Sequence, residues 1–179
     1  MRVTGGTARG TPLVAPKGSE TRPTTDRVRE AIFSILYSLD ADLSRVLDLY
    51  AGTGAIAIEA LSRGAGTADL VERGPAACAV IRRNLERARM SGHARVYCLD
   101  VHRVIERLDG PYTLIFLDPP YADPTVEQVI ETLAASGLVA ADGTVVLEHA
   151  QSRTPPASIG GLALHSDRRY GDTGVAFYC

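Results

Sequence analysis

Between residues 45 and 135, short apolar runs alternate with longer stretches of helical periodicity, and this alternation constrains the fold more than any other feature. The short runs predict strands, and the stretch after each run predicts a helix. The predicted strands lie at 45–50, 67–72, 95–99 and 112–117. The predicted helices that follow them lie at 55–63, 75–91, 101–108 and 124–135. Strands that alternate with helices are joined by crossovers and run parallel. The sequence therefore predicts an α/β fold: a mostly parallel, doubly wound sheet with helices on both faces.

The C-terminal part of the chain predicts three further strands, which makes seven in all. They lie at 143–149, 162–169 and 174–179. The sequence from Gly171 to Gly174 predicts the turn of a hairpin between the last two strands. Residues 151–161 are rich in Ser, Pro and Gly and predict a loop.

The N-terminal part precedes the alternating pattern and has a different composition. Residues 1–15 predict a β-hairpin, and 25–39 predict a helix opened by a Thr/Asp cap, with a loop between them. We expect residues 1–40 to form an extension and residues 41–179 to form the main, ligand-binding part of the same domain.

A glycine turn joins the first predicted strand to its helix. Glycines let the backbone turn tightly and approach a ligand, while the N–H groups of the following helix face an anion. The pattern Gly52-x-Gly54-x-x-Ala57 also fits NAD and FAD sites, so the glycines alone decide little. Asp48 is more informative, because a carboxylate before the loop repels a pyrophosphate and attracts the amino group of S-adenosylmethionine, which also carries a sulfonium. The turn therefore predicts a methyl-donor site.

Acidic residues also follow the next predicted strands. Glu72 comes about twenty residues after the glycines and suits two ribose hydroxyls, although NAD proteins share such an acid. Asp100 suits an adenine amino group, and the N–H of Val101 suits a ring nitrogen. With Asp48 and Asp118, four acids end four consecutive strands, at the edge where open α/β sheets bind ligands. This recurrence predicts one continuous site.

The sequence Asp118-Pro119-Pro120-Tyr121 directly follows a predicted buried strand. Each proline fixes φ at about −65° and lacks an N–H, and Pro120 also restricts Pro119, so the turn is stiff. A stiff turn can aim the Asp118 carboxylate and the Pro119 carbonyl at one exocyclic amine, while Tyr121 stacks on its ring. Such a motif by itself also fits a strand-terminating loop. Beside the methyl-donor motif, we take its four residues as the catalytic set.

Composition indicates one globular domain. The 179 residues are 45% apolar, which is enough to bury a core. The three cysteines lack C-x-x-C spacing, so they predict reduced thiols rather than a disulfide frame, and we expect no metal site. The sequence has no apolar run of ~18 residues and no basic-then-apolar start. We therefore expect a cytoplasmic protein without a membrane span.

The net charge of −2 is unusual for a protein that binds nucleic acid, but the charges are unevenly distributed. Residues 1–30 hold six basic side chains against three acidic ones, a net of +3. The candidates for phosphate contacts are Arg9, Lys17, Arg22 and Arg27. Arg22 and Arg27 equally fit a role in their own helix start or beside the methionine pocket. A second basic group on the helix at 75–91 fits a solvated face better than a binding surface.

With these motifs the chain resembles the class I S-adenosylmethionine-dependent methyltransferases, and within them the small bacterial enzymes that methylate a guanine N2 amine of 16S ribosomal RNA. The resemblance covers nearly the whole chain. Its more specific part is N-terminal, and the similar segments are residues 2–6, 9–10, Leu13, Pro16 and 22–33. The C-terminal Arg169-Tyr170-Gly171-Asp172-Thr173 is similar to the family's final hairpin.

The resemblance implies a Rossmann-like methyltransferase fold, S-adenosylmethionine as the donor and 16S ribosomal RNA as the partner. The residues it assigns to donor binding are Asp48, Tyr50, Ala51, Gly52, Thr53, Gly54, Glu72, Asp100, Val101 and Asp118. Because so short a chain has little surface for reading sequence, we expect it to recognise the shape of folded RNA, in an assembled 30S subunit rather than in free RNA. We expect the protein to act as a monomer.

Three alternatives stay open on the sequence. A DNA adenine or cytosine amino-methyltransferase shares the Asp-Pro-Pro-Tyr chemistry, but it usually has a recognition domain for which this chain has no room. A protein-glutamine methyltransferase also acts on a planar amide, and the basic N-terminal segment argues against it. A non-catalytic ribosome-assembly factor would not need an acid at every strand end.

Overall fold

The protein is described by a computed structural model that covers residues 1–15 and 25–179. The α-helices are α1 (Asp26–Ser38), α2 (Ala55–Ser62), α3 (Pro75–Arg87), α4 (Val101–Val104) and α5 (Val126–Ala135). The strands are β1 (Arg45–Leu49), β2 (Thr67–Val71), β3 (Ala94–Tyr97), β4 (Tyr112–Leu117), β5 (Val139–Ala150), β6 (Ser158–Ile159), β7 (Leu162–Tyr170) and β8 (Thr173–Tyr178).

The strands form one sheet in the order β3-β2-β1-β4-β5-β8-β7-β6. Strands β1 to β5 pair in parallel, whereas β8, β7 and β6 pair antiparallel. This confirms the Rossmann-like fold with a mostly parallel sheet. The order reverses between β1 and β4, and such a switch point is where open α/β sheets bind their ligands.

The predicted number of seven strands is wrong by one. Strand β6 pairs with the start of β7 through Ser158↔Ala163 and Ile159↔Leu162, within the segment predicted as a loop. Gly160 and Gly161 adopt positive φ values of 59° and 88° in the turn between the two strands. A strand of two residues is too short to have a periodicity, so only its tertiary partner reveals it.

Two predicted helices end earlier than expected. Helix α3 stops at Arg87 rather than at residue 91, because Arg89 has a left-handed φ of 59° and the Met90 N–H bonds to the Leu85 carbonyl (2.8 Å). Helix α4 is a single turn followed by a 3-10 turn at Ile105–Arg107. The other predicted helices lie within two residues of their expected ends.

The sheet is covered on both faces, as the alternating order predicts. Along β4, Leu114 and Phe116 pack in the core beneath α1, α2 and α3. Ile115 and Leu117 pack in the opposite core, beneath α4 and α5. Successive residues of a strand face opposite sides of the sheet, so positions 114 to 117 of this central strand, which are buried on both faces, all carry apolar residues.

The N-terminal segment folds back on itself as predicted and lies against α2, but its two arms are joined by a single antiparallel bridge, Arg2↔Pro12, rather than by two strands. The Val3 N–H bonds to the Thr11 carbonyl (3.0 Å), and the Gly10 N–H bonds to the Val3 carbonyl (2.8 Å). Glu59 of α2 is buried and accepts from the Thr4 N–H (2.8 Å) and from Arg29 of α1 (3.3 Å). Although burial opposes it, the Thr4 and Arg63 hydrogen bonds and the Arg29 charge hold the pKa of Glu59 below its ordinary value. The carboxylate thus joins the hairpin, α1 and α2.

Candidate functional site

The carboxyl ends of four parallel strands lie side by side. Leu49 of β1 pairs with Val71 of β2 and with Leu117 of β4, and Leu117 pairs with Leu147 of β5. The residues one position beyond these pairs are Tyr50, Glu72, Asp118 and Glu148. The glycine turn and the Asp-Pro-Pro-Tyr motif are therefore neighbours at the switch point, as predicted.

The glycine turn has an unusual backbone. Tyr50, Gly52 and Gly54 have positive φ values of 63°, 54° and 74°. The Ala51 N–H bonds to the Val71 carbonyl (2.9 Å), and the Gly54 N–H bonds to the Ala51 carbonyl (2.7 Å). A Cβ at Gly54 would lie 3.1 Å from a Leu70 methyl group, in addition to the strain of its left-handed φ. The turn thus requires glycine at position 54, where it directly precedes α2.

Asp48 lies beneath this turn and is only 3% exposed. Its carboxylate accepts from the Ala57 N–H in the first turn of α2 (3.3 Å). Burial raises the pKa of Asp48 to about 7, the Ala57 hydrogen bond opposes this shift, and the charge of Glu72 adds to it. A buried carboxylate of this kind is stabilised by a nearby cation, so the residue suits a ligand with a positive amino group.

Glu72 accepts hydrogen bonds from both sides of the site. Its two oxygens bind the Gly52 N–H (3.0 Å) and the Gly74 N–H (2.8 Å), which connects the glycine turn to the loop after β2. An ionised carboxylate has about four acceptor positions, so these two bonds are compatible with further donors such as ribose hydroxyls.

Asp100 and Val101 begin α4, beyond the end of β3. Asp100 is the N-cap, and its carboxylate accepts from the His102 N–H (3.0 Å), while Val101 is buried.

The hydroxyl of Tyr50 donates to Asp123 (3.4 Å), which connects the glycine turn to the residues after the Asp-Pro-Pro-Tyr motif. Burial and the Asp123 charge raise the pKa of Tyr50 above its ordinary value. Neither Asp123 nor its contact with Tyr50 was predicted.

The Asp-Pro-Pro-Tyr motif leaves β4 beside β1. The Asp118 N–H bonds to the Leu49 carbonyl (3.5 Å), Pro119 is buried and Pro120 is exposed. Tyr121 is 46% exposed, so its ring is accessible for stacking. The turn therefore combines a strand-anchored acid with an exposed aromatic face.

The Tyr121 hydroxyl has two contacts that the sequence did not reveal. It lies 2.9 Å from the Thr173 Oγ1 and donates to the Glu148 carboxylate (3.4 Å). Partial burial raises the pKa of Tyr121; the Thr173 contact opposes this shift, and the charges of Glu148 and Asp118 add to it. Because these two partners restrict rotation of the ring, the hydroxyl contributes to the orientation of the Tyr121 side chain.

Glu148 could have been found by the rule that identified the other acids. It lies one residue beyond Leu147, the last residue of β5 that pairs with β4, and two residues before the end of β5. The strand predicted at 143–149 contained it as an interior residue, so it was not counted among the strand-end acids. Thr173 has no comparable signal, since it reaches the site only through the pairing of β8 with β5.

The described basic candidates lie on the N-terminal side of the molecule. Arg9 is exposed in the hairpin turn, and Arg27 is exposed in the first turn of α1. Lys17 and Arg22 lie outside the described residues. Arg29, which contributes to the basic count of this segment, is buried and paired with Asp26 (2.9 Å) as well as Glu59. The charge available to an external phosphate is therefore smaller than the sequence count indicates.

Within residues 1–15 and 25–179, no helix is both long enough and apolar enough to cross a membrane. The same residues contain no group of three or more His, Cys, Asp or Glu side chains arranged to hold a metal ion.

A family model described as "Conserved hypothetical protein 95" matches residues 1–179, the whole chain. The chain belongs to this family. YlbH of Bacillus subtilis is 36% identical over 99% of this chain and 98% of its own length. The protein named ribosomal RNA small subunit methyltransferase D of Escherichia coli K12 is 32% identical over 99% of this chain and 89% of its own length. Similarity to the family thus includes both the N-terminal hairpin and the strand-end site.

Solved structures give the same result for the fold. The structure of yhhF from Escherichia coli, titled as a methyltransferase, aligns with a TM-score of 0.87 at 31% identity. The alignment covers 99% of this chain and 96% of the other. The Rossmann-like methyltransferase fold is therefore shown for the described residues of this family member.

Proposed function

We propose that this protein transfers a methyl group from S-adenosylmethionine to the exocyclic N2 amine of a guanine in small-subunit (16S) ribosomal RNA. The observation that carries the proposal is the position of Asp118-Pro119-Pro120-Tyr121 at a strand end directly beside the glycine turn. The near-full-length similarity to a protein named as a small-subunit ribosomal RNA methyltransferase supports the class of substrate.

The donor pocket is assigned to the β1, β2 and β3 ends of the sheet. Asp48 would face the amino group of the donor, and the glycine turn with the α2 N-terminus would face its carboxylate. Glu72 would accept from the ribose hydroxyls. Asp100 and the Val101 N–H would hold the adenine. The buried, amide-bonded state of Asp48 supports this assignment, because a cation there lowers the cost of its charge.

When bound, the donor supplies an electrophilic methyl group on a positively charged sulfur. Asp118 and the Pro119 carbonyl accept hydrogen bonds from the guanine N2, so its lone pair is directed out of the ring conjugation. As the new N–C bond forms, these acceptors stabilise the positive charge on nitrogen, and one proton then leaves the amine through Asp118 or solvent. Tyr121 stacks on the base that has left its helix. The electron pair of the old S–C bond remains on sulfur.

RNA contacts are assigned to Arg9 and Arg27, together with Lys17 and Arg22 of the same basic segment. An assembled 30S subunit is the proposed substrate form, since a small surface recognises shape more easily than sequence. The protein is proposed to act as a monomer.

The test uses labelled S-adenosylmethionine with unmodified small ribosomal subunits, protein-free small-subunit RNA and duplex DNA in parallel. Nucleoside analysis of the product identifies the methylated base. We expect N2-methylguanosine, formed faster on subunits than on free RNA. Methyladenine or methylcytosine in DNA would overturn the proposed substrate, and equal rates on free RNA and subunits would overturn the particle requirement.

A further inference from the structure

Glu148 directly follows Leu147 of β5, and Asp118 directly follows Leu117, the β4 residue that pairs with Leu147. Phe116 of β4 and Val146 of β5 are paired and share the core beneath α1, whereas Leu117 and Leu147 share the opposite core. Because side chains alternate along a strand, Glu148, which follows Leu147 within β5, returns to the α1 side. Val175 of β8, which pairs with Glu148 of β5, also packs in the core on the α1 side.

The carboxylate of Glu148 is part of the same contact set as the aromatic ring. Its Oε1 accepts from the Tyr121 hydroxyl (3.4 Å), and that hydroxyl lies 2.9 Å from Thr173 Oγ1. Glu148 is 7% exposed, whereas Tyr121 is 46% exposed. The acid thus lies at the hydroxyl end of the Tyr121 side chain. Asp118, which is proposed to hold the amine, directly follows the end of β4, the strand next to β5.

Guanine differs from the other amino bases in the atom beside its amine. Its N2 amine is adjacent to N1–H, a hydrogen-bond donor, on the Watson–Crick edge. The amine of adenine is adjacent to N1 and the amine of cytosine to N3, and both nitrogens are acceptors. A carboxylate beside the amine acceptors therefore attracts guanine and repels the lone pair of either competitor.

We infer that Glu148 accepts a hydrogen bond from the N1–H of the target guanine, and so makes the site specific for guanine over adenine and cytosine. The inference rests on the proposed function and names the residue that selects its base. An ionised carboxylate has about four acceptor positions, so the Tyr121 hydroxyl and the N1–H can both bind to it. Thr173 holds the ring and does not read the base.

The experiment compares guanine with 2-aminopurine, which keeps the N2 amine but has an acceptor at N1. After the methylated guanine is mapped with the wild-type protein, small-subunit RNA is ligated with either base at that position and assembled into particles. Single-turnover methylation rates are measured for the wild type, Glu148→Gln and Thr173→Val. Glu131→Gln, an exposed glutamate on α5, is the matched control. Binding of S-adenosylmethionine verifies that each variant is folded.

The wild type is expected to prefer guanine over 2-aminopurine by about tenfold or more, since a hydrogen bond to a charged group is lost with the analogue. Glu148→Gln should reduce this preference to about threefold or less, because its amide can donate to the analogue's N1. Thr173→Val should slow methylation of both bases equally and so keep the preference. Glu131→Gln should change neither the two rates nor the preference.

An unchanged preference in Glu148→Gln, with guanine still methylated, would overturn the inference and leave the proposed function standing. An equal loss of preference in Thr173→Val would overturn it as well, since the effect would then come from ring placement. If the wild type methylated no guanine in any particle, the proposed function would fail and the inference with it.

Discussion

The strand-end site has two halves, which are held together in different ways. The donor half is the proposed S-adenosylmethionine pocket at the ends of β1, β2 and β3, and the acceptor half is the proposed base pocket around residues 118–121. In the donor half, the acids accept from backbone amides, and most of these are near in sequence: Asp48 from Ala57, Glu72 from Gly74 and Asp100 from His102. The exception is the second bond of Glu72, which comes from Gly52, twenty residues away. In the acceptor half, Tyr121 contacts side chains 27 and 52 residues away. The donor half is thus assembled mainly by local backbone geometry, whereas the acceptor half depends on the pairing of β4, β5 and β8.

This difference predicts that mutations in the two halves have separate effects on S-adenosylmethionine binding and on the rate of methyl transfer. A change in the donor half should alter the affinity for S-adenosylmethionine. A change in the acceptor half should leave that affinity intact and lower the rate of transfer.

The largest expected effect is that of Asp118→Ala. Removal of one preorganised acceptor at a reacting amine should lower kcat by ~10²-fold or more, with donor affinity nearly unchanged. Single-turnover methylation and calorimetric titration of the donor measure the two quantities. Asp142→Ala, at an exposed position of β5, serves as the control. Methylation by Asp118→Ala at near the wild-type rate would show that the acceptor half is assigned to the wrong residue.

Asp48→Asn should have the opposite result. Loss of the buried charge should weaken donor binding by about tenfold or more, as expected for a hydrogen bond to a charged group. If the rate at saturating donor fell as strongly as in Asp118→Ala, the separation of the two halves would not hold.

The pH dependence of Asp48 makes the same comparison sharper. Its pKa is raised to about 7 in the folded protein, so the carboxyl is protonated below that pH and ionised above it. Donor affinity should therefore rise from pH 6 to pH 8, and Asp48→Asn should remove the rise. In the absence of S-adenosylmethionine, the stability of the folded protein should change in the opposite direction as the pH rises. The unfolded chain releases the Asp48 proton at a lower pH than the folded protein does. The contribution of Asp48 to the free energy of unfolding therefore falls between about pH 4 and pH 7. Thermal unfolding across that range, with Asp48→Asn as reference, measures it.

Tyr121→Phe tests whether the hydroxyl matters in the acceptor half. From the sequence alone, this change is predicted to be nearly silent, since the stacking face is kept. The contacts with Thr173 and Glu148 change the expectation to a loss of about 0.5–1.5 kcal/mol, or roughly two- to tenfold in kcat/KM for RNA. Tyr121→Ala should cost more, about 1–3 kcal/mol of stacking. Equal rates for Phe and Tyr would mean that the hydroxyl contacts do not orient the ring.

The smallest effect is expected outside both halves, at the N-terminal basic residues. Arg27→Gln should weaken RNA binding at low salt and lower the salt dependence of log K by about one unit. The matched control is Arg83→Gln, because Arg83 is exposed on α3, where a solvated face is predicted. A slope that changes with Arg83 and not with Arg27 would transfer the RNA surface to α3.

Local sequence determined most of the elements and the backbone geometry of the glycine turn. The alternation of apolar runs with helical stretches predicted β1 to β4 closely, and the predicted Thr/Asp cap of the first helix is found at Thr25. Gly54 could be assigned to a tight turn because few other residues adopt its φ of 74°. Such features depend on interactions between residues close in the chain, which a sequence pattern records directly.

Tertiary structure decided the features that depend on distant partners. Strand β6 exists only through its pairing with β7, and Arg29 is neutralised by Glu59, thirty residues along the chain. Glu148 and Thr173 become neighbours of Tyr121 only when β5 and β8 pair beside β4. A single sequence contains the residue types for these contacts but not the register of the sheet, and register decides which side chains meet.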